Sequence, residues 1–127
     1  MDKKIPETKK GLGRALRAAT FSWQGFKEIV KEDAFKQELI SFIILAPLAC
    51  LLPVSLLFKL LMILSLLFIM LVEVLNSSIE AVVDLVSPGY NEFAKLAKDL
   101  GSLAVLMAII MAVITWATAL LSIRDSI

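Results

Sequence analysis

The sequence predicts an all-α membrane protein: an N-terminal amphipathic surface helix followed by three transmembrane helices. Three observations carry that expectation. Of the 127 residues, 59% are hydrophobic, more apolar surface than a soluble domain of this length can bury in one core. Uncharged runs occupy Leu39–Phe58 (20 residues), Leu60–Val72 (13 residues) and Leu100–Ile123 (24 residues), and a helix needs about 20 apolar residues to cross the hydrocarbon. The first and third runs suffice directly; the second suffices if its helix continues through Glu73 toward Asp84. Charge is also lopsided, with nine of the thirteen Lys and Arg in residues 1–36, Lys95 and Lys98 after the second span, and Lys59 and Arg124 alone opposite them. The positive-inside rule then puts the N-terminus and second connection in the cytoplasm, and the first connection and C-terminus outside.

In chain order, residues 1–11 are charged, carry Pro6 and read as a loose tail. Residues 12–31 form the surface helix. Leu12, Leu16, Ala19, Trp23, Phe26 and Val30 recur at steps of four and three as one apolar stripe, with Arg17, Gln24, Lys27 and Lys31 off it. A basic amphipathic helix with an aromatic on its apolar side suits the membrane surface, though Gly25 weakens it. Lys31–Glu38 is a mixed charge cluster, either a solvated face or the source of a Glu32 carboxylate for a site at the cytoplasmic interface.

The first span covers 36–52. Pro47 bends it, Pro53 ends it, and Leu52–Ser55 is a bare connector from which Ser55 caps the next helix. The second span covers 56–86. At 1.5 Å per residue it reaches roughly 46 Å, more than the roughly 30 Å hydrocarbon, so it tilts or projects into the cytoplasm. Ser87-Pro88-Gly89-Tyr90 makes a turn, and Asn91 caps the third span, 91–123. Lys95 and Asp99 lie one turn apart and pair. Lys98-Asp99 with Gly101-Ser102 sets a cation beside a carboxylate and a small-residue gap. Trp116 is most simply an outer-interface anchor. Cys50 has no disulfide partner and reads as a buried apolar thiol. No cleavable signal peptide is expected, because the first apolar run starts only after residue 38 and is long enough to span.

The chemistry concentrates in Leu71–Asp84. At 100° per residue from Glu73, Asn76 falls at about 300°, Ser77 at about 40°, Glu80 at about 340° and Asp84 at about 20°. Three carboxylates and two neutral polar groups therefore share one face of a helix that is otherwise Leu, Val and Ile. Ionisable groups in a span face a bundle interior or a wet cavity. Glu73 is the deepest, so charge costs it most, and it is the candidate base. With no histidine, any metal must be held by oxygen, which favours magnesium or a similar hard cation. There is no phosphate-binding glycine loop after a strand, no zinc spacing and no nucleophile elbow. Carboxylates (Glu32, Glu73, Glu80, Asp84, Asp99), cations (Arg14, Lys95, Lys98) and Asn76 at one interface are the parts that phosphoryl transfer to a lipid alcohol requires. The same face would serve equally to line an ion path, to hold an oligomer together or to bind an assembly partner.

Glu73-Val74-Leu75-Asn76-Ser77-Ser78-Ile79-Glu80-Ala81-Val82-Val83-Asp84, with Ala97-Lys98-Asp99-Leu100-Gly101-Ser102 and Ala104-Val105-Leu106, resembles the small bacterial integral-membrane diacylglycerol kinases. Phe21-Ser22-Trp23-x-Gly25 and Glu32-x-Ala34-Phe35-x-Gln37-Glu38 extend the match to about Arg14–Trp116. The resemblance implies a homotrimer in the bacterial inner membrane, with cytoplasmic N-terminus and periplasmic C-terminus. It would phosphorylate diacylglycerol with Mg2+ and ATP, give phosphatidic acid for phospholipid recycling, and have no nucleic-acid partner. It implies Glu73 as catalytic base and Glu32 and Glu80 as metal ligands that also engage the nucleotide. Arg14, Phe21, Gly89, Tyr90, Asn91, Lys98 and Asp99 fall on nucleotide positions, and Ala19, Trp23, Phe35, Asn76, Ser102 and Trp116, with Glu73, on lipid-substrate positions. Sites would be shared between neighbouring subunits. Phe21 stands where relatives often carry Tyr, and Gly89 and Asn91 replace the commoner Glu and His. In the outer connector Pro53 and Ser55 replace acids. Undecaprenol kinases share the architecture, but the Lys98–Ser102 run and the Trp23 segment look more like the diacylglycerol branch.

Overall fold

The structure, a computed structural model, describes residues 10–126; residues 1–9 of the expected tail lie outside that range. Four helices account for nearly all of it: α1 (Leu12–Ile29), α2 (Asp33–Leu51), α3 (Leu56–Val86) and α4 (Glu92–Asp125). The last three are long and apolar enough to cross a membrane.

The α1–α2 junction is a tight turn. Lys31 N–H donates to the Glu28 carbonyl and Glu32 N–H to that of Ile29, which closes α1 at Ile29, one residue before the last member of the apolar stripe and two before the expected end at 31. Glu32 is then extended (φ −78°, ψ 132°) and stands as the N-cap of α2. The helix therefore starts at Asp33, ahead of the point where hydropathy rises, because hydropathy marks immersion and not backbone conformation. Ser55 Oγ accepts from Phe58 N–H and caps α3. Asn91 Oδ1 accepts from Phe93 and Ala94 N–H and caps α4. Each cap satisfies donors that a helix start leaves without intrahelical partners.

α3 is the central element and packs against both α2 and α4. The face α4 buries is made of Gly101, Ala108, Ala112 and Ala119, small residues that let two helix backbones approach without a hydrophobic drive from water. Facing them along α3 are Met62, Leu66, Glu73 and Asn76. At one end, Ala49, Met62 and Ala119 make a dry cluster with Met62 wholly buried. Trp116 packs against it and donates its indole N–H to the Met62 carbonyl at 3.3 Å, so it is tied into the bundle and is not a free surface anchor. At the other end lie the charged residues.

α1 is held only near its C-terminus. Ile29 is its one buried residue, and Phe26 meets Phe35 edge to face at 6.3 Å. Its apolar stripe (Leu12, Leu16, Trp23) is otherwise exposed. The spanning helices are exposed too, with only 11–17% of their apolar windows buried in the chain. That leaves broad apolar faces for acyl chains or further copies.

Candidate active site

Glu73 and Asn76 are the only buried charged or polar residues among those described, at 7% and 8% exposure. Both lie on the α3 face turned toward α4. The helical register of Glu73, Asn76, Ser77, Glu80 and Asp84 makes one polar ridge, buried at Glu73 and Asn76, half-buried at Ser77 and Glu80 and exposed at Asp84. Neighbouring elements attach at two points. Ser77 Oγ donates to Glu32 Oε2 at 2.6 Å, linking the start of α2 to the ridge. Lys98 Nζ donates to Asp84 Oδ1 at 2.5 Å, linking α4 to its end. Between them, Asn76 Nδ2 reaches Glu80 Oε1 at 3.4 Å. Glu32 and Glu80 stand close enough to Glu73 for their charges to act on it, and Lys98 stands within the same kind of reach of Glu80. Glu32, Glu73, Asn76, Glu80 and Lys98 therefore form one constellation, with Asp84 as the counter-ion at its edge.

Two cavities flank the ridge. One, about 550 Å³, runs between α2, α3 and α4 from Glu73, Glu38 and Ser41 past Leu66, Ile69 and Ile109 to Trp116. It is polar at one end and apolar along the rest, the profile of a site for an amphiphile. The other, about 570 Å³, lies under α1 and is lined by Ser22, Gly25, Phe26, Glu32, Phe35 and Ser77. Glu38 is the residue that sequence reasoning left out of the site. Its Oε2 is buried without a hydrogen-bond partner, and it lies near Glu73. An acid just inside the start of a span was the available signal.

The remaining candidates are not gathered by a single chain. Arg14, Ala19, Phe21 and Trp23 lie exposed on α1, with Trp23 stacked on Phe26 at 5.7 Å. Phe35 is 3% exposed and serves to seat α1. Tyr90 is 83% exposed in the α3–α4 turn, beside an open Gly89, and the Asn91 side chain is engaged in its cap. Asp99 pairs back along α4 with Lys95 at 2.5 Å, and Ser102 is exposed next to Gly101.

Among the described residues no three acids or thiols lie close enough to enclose a metal ion. Glu32 and Glu80 nevertheless fit magnesium in kind. It is commonly bound by one or two carboxylates, with substrate phosphates and water completing the octahedron.

Residues 20–120 match the family described as prokaryotic diacylglycerol kinase. Over 113 residues the chain is 45% identical to the diacylglycerol kinase of Escherichia coli K12, covering 88% of this chain and 93% of that one. Over 112 residues it is 44% identical to the diacylglycerol kinase of Pseudomonas aeruginosa PAO1, covering 87% and 91%. That of Helicobacter pylori is 34% identical over 122 residues, covering 95% of each chain.

Proposed function

The chain belongs to the prokaryotic diacylglycerol kinase family, and from that premise we propose how its polar ridge carries out an ATP-dependent lipid phosphorylation. The protein is a membrane-embedded lipid kinase. Its reaction moves the γ-phosphoryl group of ATP to the free hydroxyl of diacylglycerol, giving phosphatidic acid and ADP. Glu73 takes the hydroxyl proton as the alcohol oxygen bonds to the γ-phosphorus and the bond to the β-phosphate oxygen breaks. A carboxylate suits that role only if it lies within hydrogen-bond reach of the alcohol. The position of Glu73 at the polar end of an otherwise apolar cavity supports this. The glycerol end would lie by Glu73, Glu38 and Asn76, with an acyl chain along Leu66 and Ile109 toward Trp116.

Phosphoryl transfer is mostly a matter of positioning and of neutralising charge on the equatorial oxygens. Lys98 supplies a cation beside the ridge, and Glu32 and Glu80 would hold the magnesium, which when bound offsets charge on the β- and γ-phosphates. Arg14, Tyr90 and Asp99 would meet the nucleotide from outside the ridge. The basic N-terminal segment supports a cytoplasmic placement of this face, where ATP is, and in this reading the membrane is the bacterial inner one. In this reading the functional unit is a homotrimer whose sites draw residues from neighbouring copies.

The observation that carries the reading is the burial of Glu73 among helices at the junction of Glu32, Glu80 and the cavity. It is tested with purified protein in mixed micelles, using Mg-ATP and either diacylglycerol or undecaprenol. Wild type is expected to phosphorylate diacylglycerol in preference to the polyprenol. Glu73→Gln should keep its helicity and oligomeric state and lose at least about 100-fold in turnover, as loss of a general base does. Near-normal turnover by that variant would remove Glu73 from the chemistry.

A further inference from the structure

The face by which α4 meets α3 uses alanine at three positions and glycine at one. Ala108, Ala112 and Ala119 show that a methyl group is small enough for this interface. Alanine is also a better helix former than glycine in a helix interior. Gly101 is therefore the exception on that face. A Cβ built there would overlap Asn76 Oδ1 and lie 3.1 Å from Asn76 Cγ. At Gly11, Gly25 and Gly89 an added Cβ meets nothing within 4 Å. The volume vacated at Gly101 is thus filled by the carboxamide of Asn76, a polar side chain from the opposite helix.

The orientation of that carboxamide follows from its two neighbours. An ionised Glu80 carboxylate only accepts hydrogen bonds, so the amide NH2 end must face it. Nδ2 does so, at 3.4 Å from Oε1. The oxygen end is then turned to the bare backbone of α4, buried and without a donor. A buried amide oxygen ordinarily finds a donor. Here the conformation is kept by the space at Gly101.

We infer that Gly101 is a positioning residue of the kinase: its missing side chain seats the Asn76 carboxamide, which in turn holds Glu80 in place on the polar ridge. It would touch neither nucleotide nor lipid, and it rests on the reading that places Asn76 and Glu80 in the active site. A methyl at position 101 would push the carboxamide out of its seat and release Glu80. Displacements of about 1 Å in a catalytic constellation cost on the order of 100-fold in rate.

The test is a double-mutant cycle in the full-length protein, assayed in mixed micelles with Mg-ATP and diacylglycerol. Gly101→Ala should lower turnover on the order of 10–100-fold, with kcat falling by more than KM for diacylglycerol changes. Asn76→Ser should be impaired by itself. Because serine is too short to meet position 101, Gly101→Ala/Asn76→Ser should be no worse than Asn76→Ser. A role in helix packing alone would instead give additive losses. The chain has two asparagines, Asn76 and Asn91, so side-chain amide resonances of 15N-labelled protein give a second readout. Gly101→Ala should shift the Asn76 pair and leave that of Asn91 in place. A further loss in the double variant, or an unmoved Asn76 resonance, overturns the inference. If Gly101→Ala does not fold, recovery of the double variant to the Asn76→Ser level upholds the inference and any lower activity overturns it. Wild-type turnover by Asn76→Ser would sink the active-site reading of Asn76 as well. An impaired Asn76→Ser beside an unimpaired Gly101→Ala would sink the positioning role alone.

Discussion

Glu38 and Glu73 share one cavity end, and the two acids differ in what supports them. Glu73 is a member of the ridge, whereas Glu38 enters from α2 with Oε2 buried and unpartnered. Leaving a buried polar atom without a partner costs about 1–3 kcal/mol, a burden that packing alone would have no reason to keep. Sites that destabilise a fold are commonly those that function needs. Glu38→Leu removes the unpartnered oxygen and extends the apolar wall formed by Leu45 and Leu66. The variant is expected to unfold in detergent at a midpoint no lower than wild type, while turnover with diacylglycerol drops at least about tenfold. Thermal unfolding and micelle assays on one preparation decide it. A destabilised variant with intact turnover would make Glu38 a structural acid.

At the scale of elements, α1 and α4 each carry one tryptophan, and the structure gives them opposite surroundings. Trp23 stacks on Phe26 and is otherwise open on the apolar stripe, where a surface helix meets the headgroup boundary. Trp116 is held between helices by the Met62 carbonyl. In Trp116→Phe, leaving Trp23 alone, fluorescence should be quenched more strongly by lipids brominated near the head of the chain than near its end. The reverse order would put α1 at another depth. This contrast also marks what the sequence made legible. Ser55 and Asn91 were readable as caps because a cap is a contact within three residues. The ridge was readable because 3.6-residue periodicity fixes which side chains share a face. Trp116 looked like an interface anchor from its place late in a span; its partner is 54 residues away in sequence, and nothing local announces that. The role of Glu38 stayed hidden for the same reason. Its charge looked like part of a solvated mouth until α3 brought Glu73 beside it. The Gly101-Ser102 gap was visible, but the side chain that fills it was not.

At the scale of the whole molecule, one chain assembles only part of the proposed site. The ridge gathers Glu32, Glu73, Asn76, Glu80 and Lys98, while Arg14, Phe21 and Trp23 stay exposed on α1. Most of the apolar surface of α2, α3 and α4 remains uncovered as well. Oligomers of one chain close by symmetry, and each copy then offers the same surfaces to its neighbour. In a trimer with shared sites, Arg14 of one copy would complete the ridge of the next. That arrangement makes a prediction about mixtures that a self-contained site does not. Glu73→Gln and Arg14→Ala should each be close to inactive alone. When the two are unfolded, mixed in equal amounts and refolded together, some sites pair an intact ridge with an intact arm from the neighbouring copy. Random assembly of a closed ring makes that about one site in four, so roughly a quarter of wild-type turnover should return. Refolding the two separately and combining them afterwards should restore nothing. If co-refolded protein is no more active than the average of its parents, the site belongs to one chain, and α1 must then reach the ridge of its own subunit by moving.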